Sequence, residues 1–213
     1  MMRSKTTGPG ASRKRQSVGA TRSRQTHEAI LDAAMQVLEE HGYAGFTIEA
    51  VALRARAGKP TIYRWWKSKG ALLVELQERL SAPLGELPEL GSVDREIEQF
   101  LKLAWSLMRR FPHTGRGILA DAQQDAVTAG LMRERLHARR HATLDAILRR
   151  GIARGELPAD CDVDVAIDFL LGQNILHLLL GGAPGDAAAH RVVHVLLHGL
   201  RGPPPASVGT GGS

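Results

Sequence analysis

From residue 25 to residue 201, apolar positions recur every three or four residues. That spacing places them on one face of a helix. Ile30, Ala33, Ala34, Val37 and Leu38 predict a helix over residues 25–41, and Gly42 stops it. Thr47 is a good N-cap for a short helix with Ile48, Val51 and Ala52 turned inward, ending near Arg56. Pro60 suits the first turn of a second short helix, over about residues 60–66, because an amide there has no partner to lose. Ser68 caps a third, with Leu72, Leu73, Leu76 and Leu80 at helical spacing. Pro83, Gly85, Pro88 and Gly91 then interrupt the pattern, which marks a change of subdomain. Further helices are predicted over 92–110, 114–122, 125–153, 162–181 and 186–201, with Gly130 as a kink or a separate turn. Residues 1–24 hold almost no large apolar side chain and predict a disordered basic arm. Residues 202–213, with three prolines at 203–205 and rich in Gly, predict a disordered tail. The expected fold is all-α: a small helical domain over 25–73 and a larger one over 74–201.

Composition supports this and adds a partner. Of 213 residues, 43% are hydrophobic and only 4% aromatic, so the core must be built from Leu, Val, Ile and Ala. The net charge of +6 is unevenly spread. Residues 1–70 hold 13 Lys and Arg against 5 Asp and Glu, a balance of +8; the rest hold 15 against 17, a balance of −2. A basic segment beside a neutral one suits a polyanion, whose condensed counterions the cations release; a solvated basic arm is the plainer alternative. The lone Cys161 permits no internal disulfide and suits a reducing cytoplasm. The polar N-terminus lacks the apolar core of a secretory signal. Residues 163–180 are broken by Asp164, Asp168, Gln173, Asn174 and His177, and predict a buried helix, not a membrane span. The expected location is cytoplasmic.

Two short helices joined by a tight turn, with a longer one before them, form a DNA-reading unit. A helix of about 10–12 Å diameter fits the major groove. The first of the pair braces on the backbone while the second offers side chains to base edges. The second helix here offers Lys59, Thr61, Tyr63, Arg64 and Trp65 outward, with Ile62 and Trp66 inward; Lys67 and Lys69 follow at the mouth of the next helix. The run from Thr47-Ile48-Glu49-Ala50-Val51-Ala52 through Gly58-Lys59-Pro60-Thr61-Ile62-Tyr63-Arg64-Trp65-Trp66-Lys67-Ser68-Lys69-Gly70-Ala71-Leu72-Leu73 resembles the AcrR-like DNA-binding domain of the TetR family. The resemblance spans about residues 25–73. More loosely, Ile147-Leu148-Arg149-Arg150-Gly151-Ile152-Ala153-Arg154-Gly155-Glu156-Leu157 resembles the ligand-binding domain of actinobacterial-type members. The resemblance implies a sequence-specific regulator, a repressor by the family's usual role, released from its operator by a small molecule. It implies phosphate contacts from Thr47, Thr61, Tyr63 and Lys69, and base or groove-edge contacts from Lys59, Pro60, Arg64 and Trp65. The chemistry agrees: hydroxyls and ammonium groups position, and Arg64 is shaped to read a guanine bidentately.

One residue departs from the family pattern. Arg56 stands in the turn where glycine is usual, at a position that favours a left-handed backbone and strains a residue with a Cβ by roughly 1 kcal/mol. Either Gly58 shifts the turn, or Arg56 bears the strain and reaches a phosphate.

In the larger half, residues 163–181 and 186–201 are apolar over more than one face, which predicts burial against a second copy of the chain. The resemblance implies the same two-helix contribution to a homodimer. Trp105, Met108, Phe111, His113, Ile118, Met132, Phe169 and Gln173 are candidates to line a small-molecule pocket, with ordinary core as the alternative. His190, His194 and His198 form a stripe at four-residue spacing, but no carboxylate or cysteine completes a metal site, and neither metal nor cofactor is expected. His137 and His141 share that spacing on a face taken as solvated, with Arg133 and Arg140. No phosphate-cradling glycine loop and no nucleophile with an arranged base occurs, which argues against an enzyme.

Overall fold

The structure is a computed structural model that describes residues 18–201. Every regular element among them is helical. Helix α1 (Val18–Gly45) carries Ile30, Ala33, Ala34, Val37 and Leu38 on its buried face, as the spacing predicts. Its start differs from expectation. Residues 18–24, assigned to the disordered arm, continue the helix toward the N-terminus. Adding a turn to an existing helix avoids the cost of nucleating one, so Thr, Ser and Arg suffice there. The remainder of the expected arm and the tail lie outside the described residues. Gly42 breaks the helical geometry at φ 62°, and one more turn closes at Gly45.

Helix α2 (Ile48–Arg54) is capped by Thr47, whose hydroxyl accepts from the amide of Ala50 at 3.1 Å. Helix α3 (Lys59–Trp65) begins beside Pro60 and buries Ile62. Helix α4 (Lys69–Ser81) is capped by Ser68, which accepts from the amide of Ala71 at 3.1 Å. The domain boundary expected at residue 73 therefore falls inside α4, which serves both units. A 3₁₀ turn (Ala82–Gly85) follows.

Helices α5 (Val93–Arg110), α6 (Pro112–Ala122), α7 (Ala126–Leu131), α8 (Ala138–Ala153), α9 (Val163–Leu180) and α10 (Asp186–Arg201) make the larger unit. The single helix expected over 125–153 is interrupted by a π-helical turn over Met132–His137, not by a kink at Gly130. Two cores result. One joins α1–α4 and borrows Ile118 and Leu136 from the larger unit. The other lies among α5, α8, α9 and α10.

Helix α6 packs on α1 and α4, and α7 packs on α4. Two glycines permit this closeness. A Cβ on Gly117 would stand 2.4 Å from the ring of Tyr43, and one on Gly70 would stand 2.1 Å from the hydroxyl of Thr128. The Ile147–Leu157 segment has a structural role at the far end of the larger unit. Glu96, almost wholly buried, accepts from Arg150 at 2.6 Å, and Arg154 approaches it at 3.4 Å. Glu156 accepts from the amide of Val93 at 2.7 Å, so the end of α8 is pinned to the start of α5.

Candidate nucleic-acid interface and regulatory cavity

The turn between α2 and α3 is tight. The amide of Ala57 donates to the carbonyl of Ala52 at 3.0 Å, and Arg56 adopts φ 51°, the left-handed region. The backbone expected of a glycine is thus kept with arginine in its place. The side chain of Arg56 is exposed. It shares a groove between the start of α1 and the start of α3 with Arg22, Gln25, Thr26, Thr61 and Arg64. Arg22, Gln25 and Thr26 were missed from sequence because they adjoin or lie in the expected arm; the signal was the helical continuity of that arm into α1.

Around this face, Thr47, Lys59, Pro60 and Arg64 are exposed and Thr61 is half-buried. Tyr63 is 44% exposed and Trp65 39%. Trp66 is buried, as expected, at 2%. Its ring stacks on His27 at 4.7 Å and its indole N–H donates to Glu75 at 2.8 Å. His27 also meets the edge of Trp65 at 4.8 Å and lies 2.9 Å from the other oxygen of Glu75. Histidine and glutamate from α1 and α4 therefore hold the end of α3.

Charge is arranged unevenly over the face. Arg22, Arg56, Arg64 and Lys67 have no carboxylate partner among the described residues. Lys59 is paired with Glu49 at 2.6 Å, which raises the Lys59 pKa and lowers that of Glu49. Both members are exposed, so the pair is weak and open to exchange for a phosphate. Lys69 faces elsewhere. Its ammonium lies 3.9 Å from the centre of the Tyr43 ring and 3.8 Å from Asp121 on α6. The Tyr43 hydroxyl donates to the same Asp121. Burial, then the carboxylate, pushes the Tyr43 pKa up to about 12.

On its other side, α6 lines a cavity of about 300 Å³ enclosed by α5, α6, α8 and α9. Of the candidates, Met108, Phe111, Ile118 and Met132 line it, with Phe100 and Leu107. Four other candidates do not. Trp105 is wholly buried behind the wall, where its N–H donates to Asn174 at 2.7 Å. Phe169 and Gln173 turn to the opposite face of α9, into a groove shared with α10. Phe169 is 68% exposed there. His113 packs beside Gly42. A helix apolar on several faces does not disclose from its sequence which face a cavity takes.

Two further placements differ from the sequence expectation. Arg140, assigned to a solvated face, is turned inward onto the cavity wall. His137 also reaches that wall, and His141 lies 3.3 Å from Asp164. No cluster able to hold a metal ion occurs among the described residues. The side chain of His198 lies outside them, while His190 lies 3.4 Å from Glu98. Cys161 packs at the edge of the second core, where burial raises its thiol pKa. By length and composition α9 could cross a membrane; in the fold it packs against α6 and α8.

The chain matches two family patterns. "Bacterial regulatory proteins, tetR family" covers residues 30–76, and "Tetracyclin repressor-like, C-terminal domain" covers residues 87–196. An uncharacterised HTH-type transcriptional regulator of Bacillus subtilis, YdeS, is 32% identical over 165 residues, spanning 77% of this chain and 83% of its own. The DNA-binding transcriptional repressor TetR of Mycobacteroides abscessus is 30% identical over 181 residues, spanning 84% of this chain and 93% of its own. The crystal structure of the TetR family transcription regulator SCO0332 superposes with a TM-score of 0.69 at 30% identity, covering 82% of this chain and 98% of that one. A capped helix-turn-helix with an open basic face, joined to a cavity-bearing helical unit and matched along both halves, shows that this chain belongs to the tetR family of bacterial DNA-binding transcription regulators.

Proposed function

We propose that the protein is a cytoplasmic repressor that grips its operator as a two-fold dimer and lets go when a small molecule fills the cavity. The observation that carries this is the path from cavity to reading head. The helix that lines the cavity with Gly115, Ile118 and Leu119 also presents Asp121 to Lys69 and Tyr43. A ligand that moves α6 changes how α4 and α1 are held, and so the placement of α3. It shifts the equilibrium only by the difference in its affinity for the two arrangements.

In this proposal Thr47, Thr61, Tyr63 and Arg56 engage phosphates, joined by Arg22. Arg64 reads a base edge, with Lys59, Pro60 and Trp65 at the groove edge. Lys69 is shared: it reaches a phosphate only after leaving Asp121. The dimer forms through α9 and α10. Val165, Phe169, Leu176 and Leu180 make an exposed apolar stripe along α9, and Gly172 within it has open space before it. A stripe of this kind on an otherwise packed unit marks an association surface.

The test is binding of the full chain to DNA from upstream of its own gene. At physiological salt, affinity is expected to exceed that for random DNA by roughly a thousandfold or more. A ratio near one would make the protein a non-specific binder. Phe169→Lys is expected to give monomers in sedimentation and to weaken operator binding by roughly a hundredfold or more, because the second half-site is lost.

A further inference from the structure

The cavity wall holds one Lys or Arg side chain, Arg140, among side chains that are otherwise mostly apolar. Its guanidinium is deeply surrounded by protein atoms, while the residue as a whole keeps partial exposure, as a side chain on the wall of a cavity does. No carboxylate, carbonyl or hydroxyl accepts a hydrogen bond from it among the described residues. Burial alone depresses its pKa, and no neighbouring carboxylate appears among the causes. Asp168 shares the wall but is exposed, and no ion pair joins it to Arg140 among the described residues. The contrast with Arg150 and Arg154 is direct, since both close on Glu96. Guanidinium is not deprotonated in proteins, so the charge persists and leaves its donors without acceptors.

The other polar groups on the wall are poor anchors. Asn174 is already satisfied: its oxygen accepts from Trp105, and its nitrogen donates to the carbonyl of Leu170 at 3.1 Å. Gln77 carries no charge, and His137 is exposed.

We infer that the cavity takes a singly charged organic acid, with its carboxylate forked against Arg140 and its apolar body among Phe100, Leu107, Met108 and Ile118. This rests on the reading of the cavity as the release site and names its ligand class. Charge and shape both select the carboxylate. A planar carboxylate matches the guanidinium fork in two parallel hydrogen bonds. A phosphate monoester would bring a second negative charge with no second cation on the wall to meet it. Size selects a small body. At roughly 30 Å³ per water-sized group, the space admits on the order of ten or somewhat more non-hydrogen atoms.

Octanoate and 4-phenylbutanoate, each paired with its neutral amide, test this by calorimetry and thermal shift on the full-length protein. Both carboxylates are expected to bind, each roughly tenfold or more tighter than its amide. Arg140→Met should remove that preference, and Arg140→Lys, which keeps the charge without the fork, should retain part of it. Without ligand, Arg140→Met should melt no lower than the parent, because a partly desolvated cation without a carboxylate partner is replaced by a side chain of similar size. Amides that bind as well as the acids, a preference that survives Arg140→Met, or no binding by either acid would each overturn the inference. Operator binding separates it from the proposal beneath it. Carboxylates that bind with the expected preference but leave operator affinity unchanged would sink the release-site reading and leave the ligand class standing. Release by the amides alone would do the reverse.

Discussion

In α1–α4, Ile30, Phe46, Ile62, Trp66 and Leu72 fill the interior, and Thr47 and Ser68 cap the helices on either side of α3. In α5–α10, an equally apolar interior encloses a cavity, keeps the unneutralised Arg140 on its wall and leaves a stripe of Val165, Phe169, Leu176 and Leu180 outside. Both units are helical and draw on the same few apolar side chains. They differ in what is left unsatisfied. The first leaves cations facing outward, with Tyr63 and Trp65 beside them. The second leaves an internal space, an internal charge and an external apolar face. A reading head must present one geometry to DNA, so it is filled and capped. A regulatory unit must respond to something, and its response requires vacancies that a ligand or a partner completes.

The comparison breaks most visibly if the filled unit is emptied. Trp66→Ala removes the ring that stacks on His27 and the N–H held by Glu75. We expect a loss of about 4 kcal/mol in denaturant unfolding, and loss of operator binding with it. Wild-type stability in this variant would mean that α3 is not held by its aromatic end. The neutralised charge in the larger unit comes next. Glu96→Ala takes the buried carboxylate from Arg150 and Arg154, leaving them only Glu89 and Glu156, and takes the acceptor from the amide of Leu90. It should cost about 3 kcal/mol, the low end for a broken buried pair because both arginines reach water in part. Unfolding midpoints and slopes check this.

Arg64→Ala sharpens the outward side. It should cost about 2 kcal/mol of operator affinity, concentrated at one base position, with folding stability unchanged. A uniform loss across operator variants would move Arg64 to the phosphates. Arg56→Gly separates strain from contact. Removing the Cβ at φ 51° should raise stability by about 1 kcal/mol. If Arg56 touches a phosphate, operator affinity falls at the same time and the slope of log affinity against log salt shrinks by about one. An unchanged slope removes the contact and leaves the strain unexplained by binding.

The smallest effect concerns the joint between the units. The Tyr43 pKa is raised from 10.0 to about 12, so the folded state holds that proton more tightly than the unfolded chain. The stability it contributes is fully present below pH 10 and is lost as pH rises through about 12. Tyr43→Phe should remove that component from an alkaline stability profile. A profile identical to wild type would show that the hydroxyl does not hold Asp121.

The chain by itself determined what is local and periodic. Apolar spacing located the helices and Thr47 and Ser68 announced their caps, while the turn at residue 56 was marked by the family pattern and left open between Arg56 and Gly58 until the fold put Arg56 at φ 51°. The charge imbalance pointed to the right third of the molecule. Tertiary structure decided the direction of every long side chain that has two faces to choose from. Arg140 turned inward, Lys69 turned to Asp121, Phe169 and Gln173 turned away from the cavity, and Trp105 was set behind its wall. Nothing within a few residues of these positions records the choice. It depends on partners that adjoin only after folding: Asp121 lies more than fifty residues beyond Lys69, and Asn174 nearly seventy beyond Trp105. Helical period states that a side chain leaves the axis at a given angle; only the packed neighbours determine whether that angle meets water, a carboxylate or an empty space.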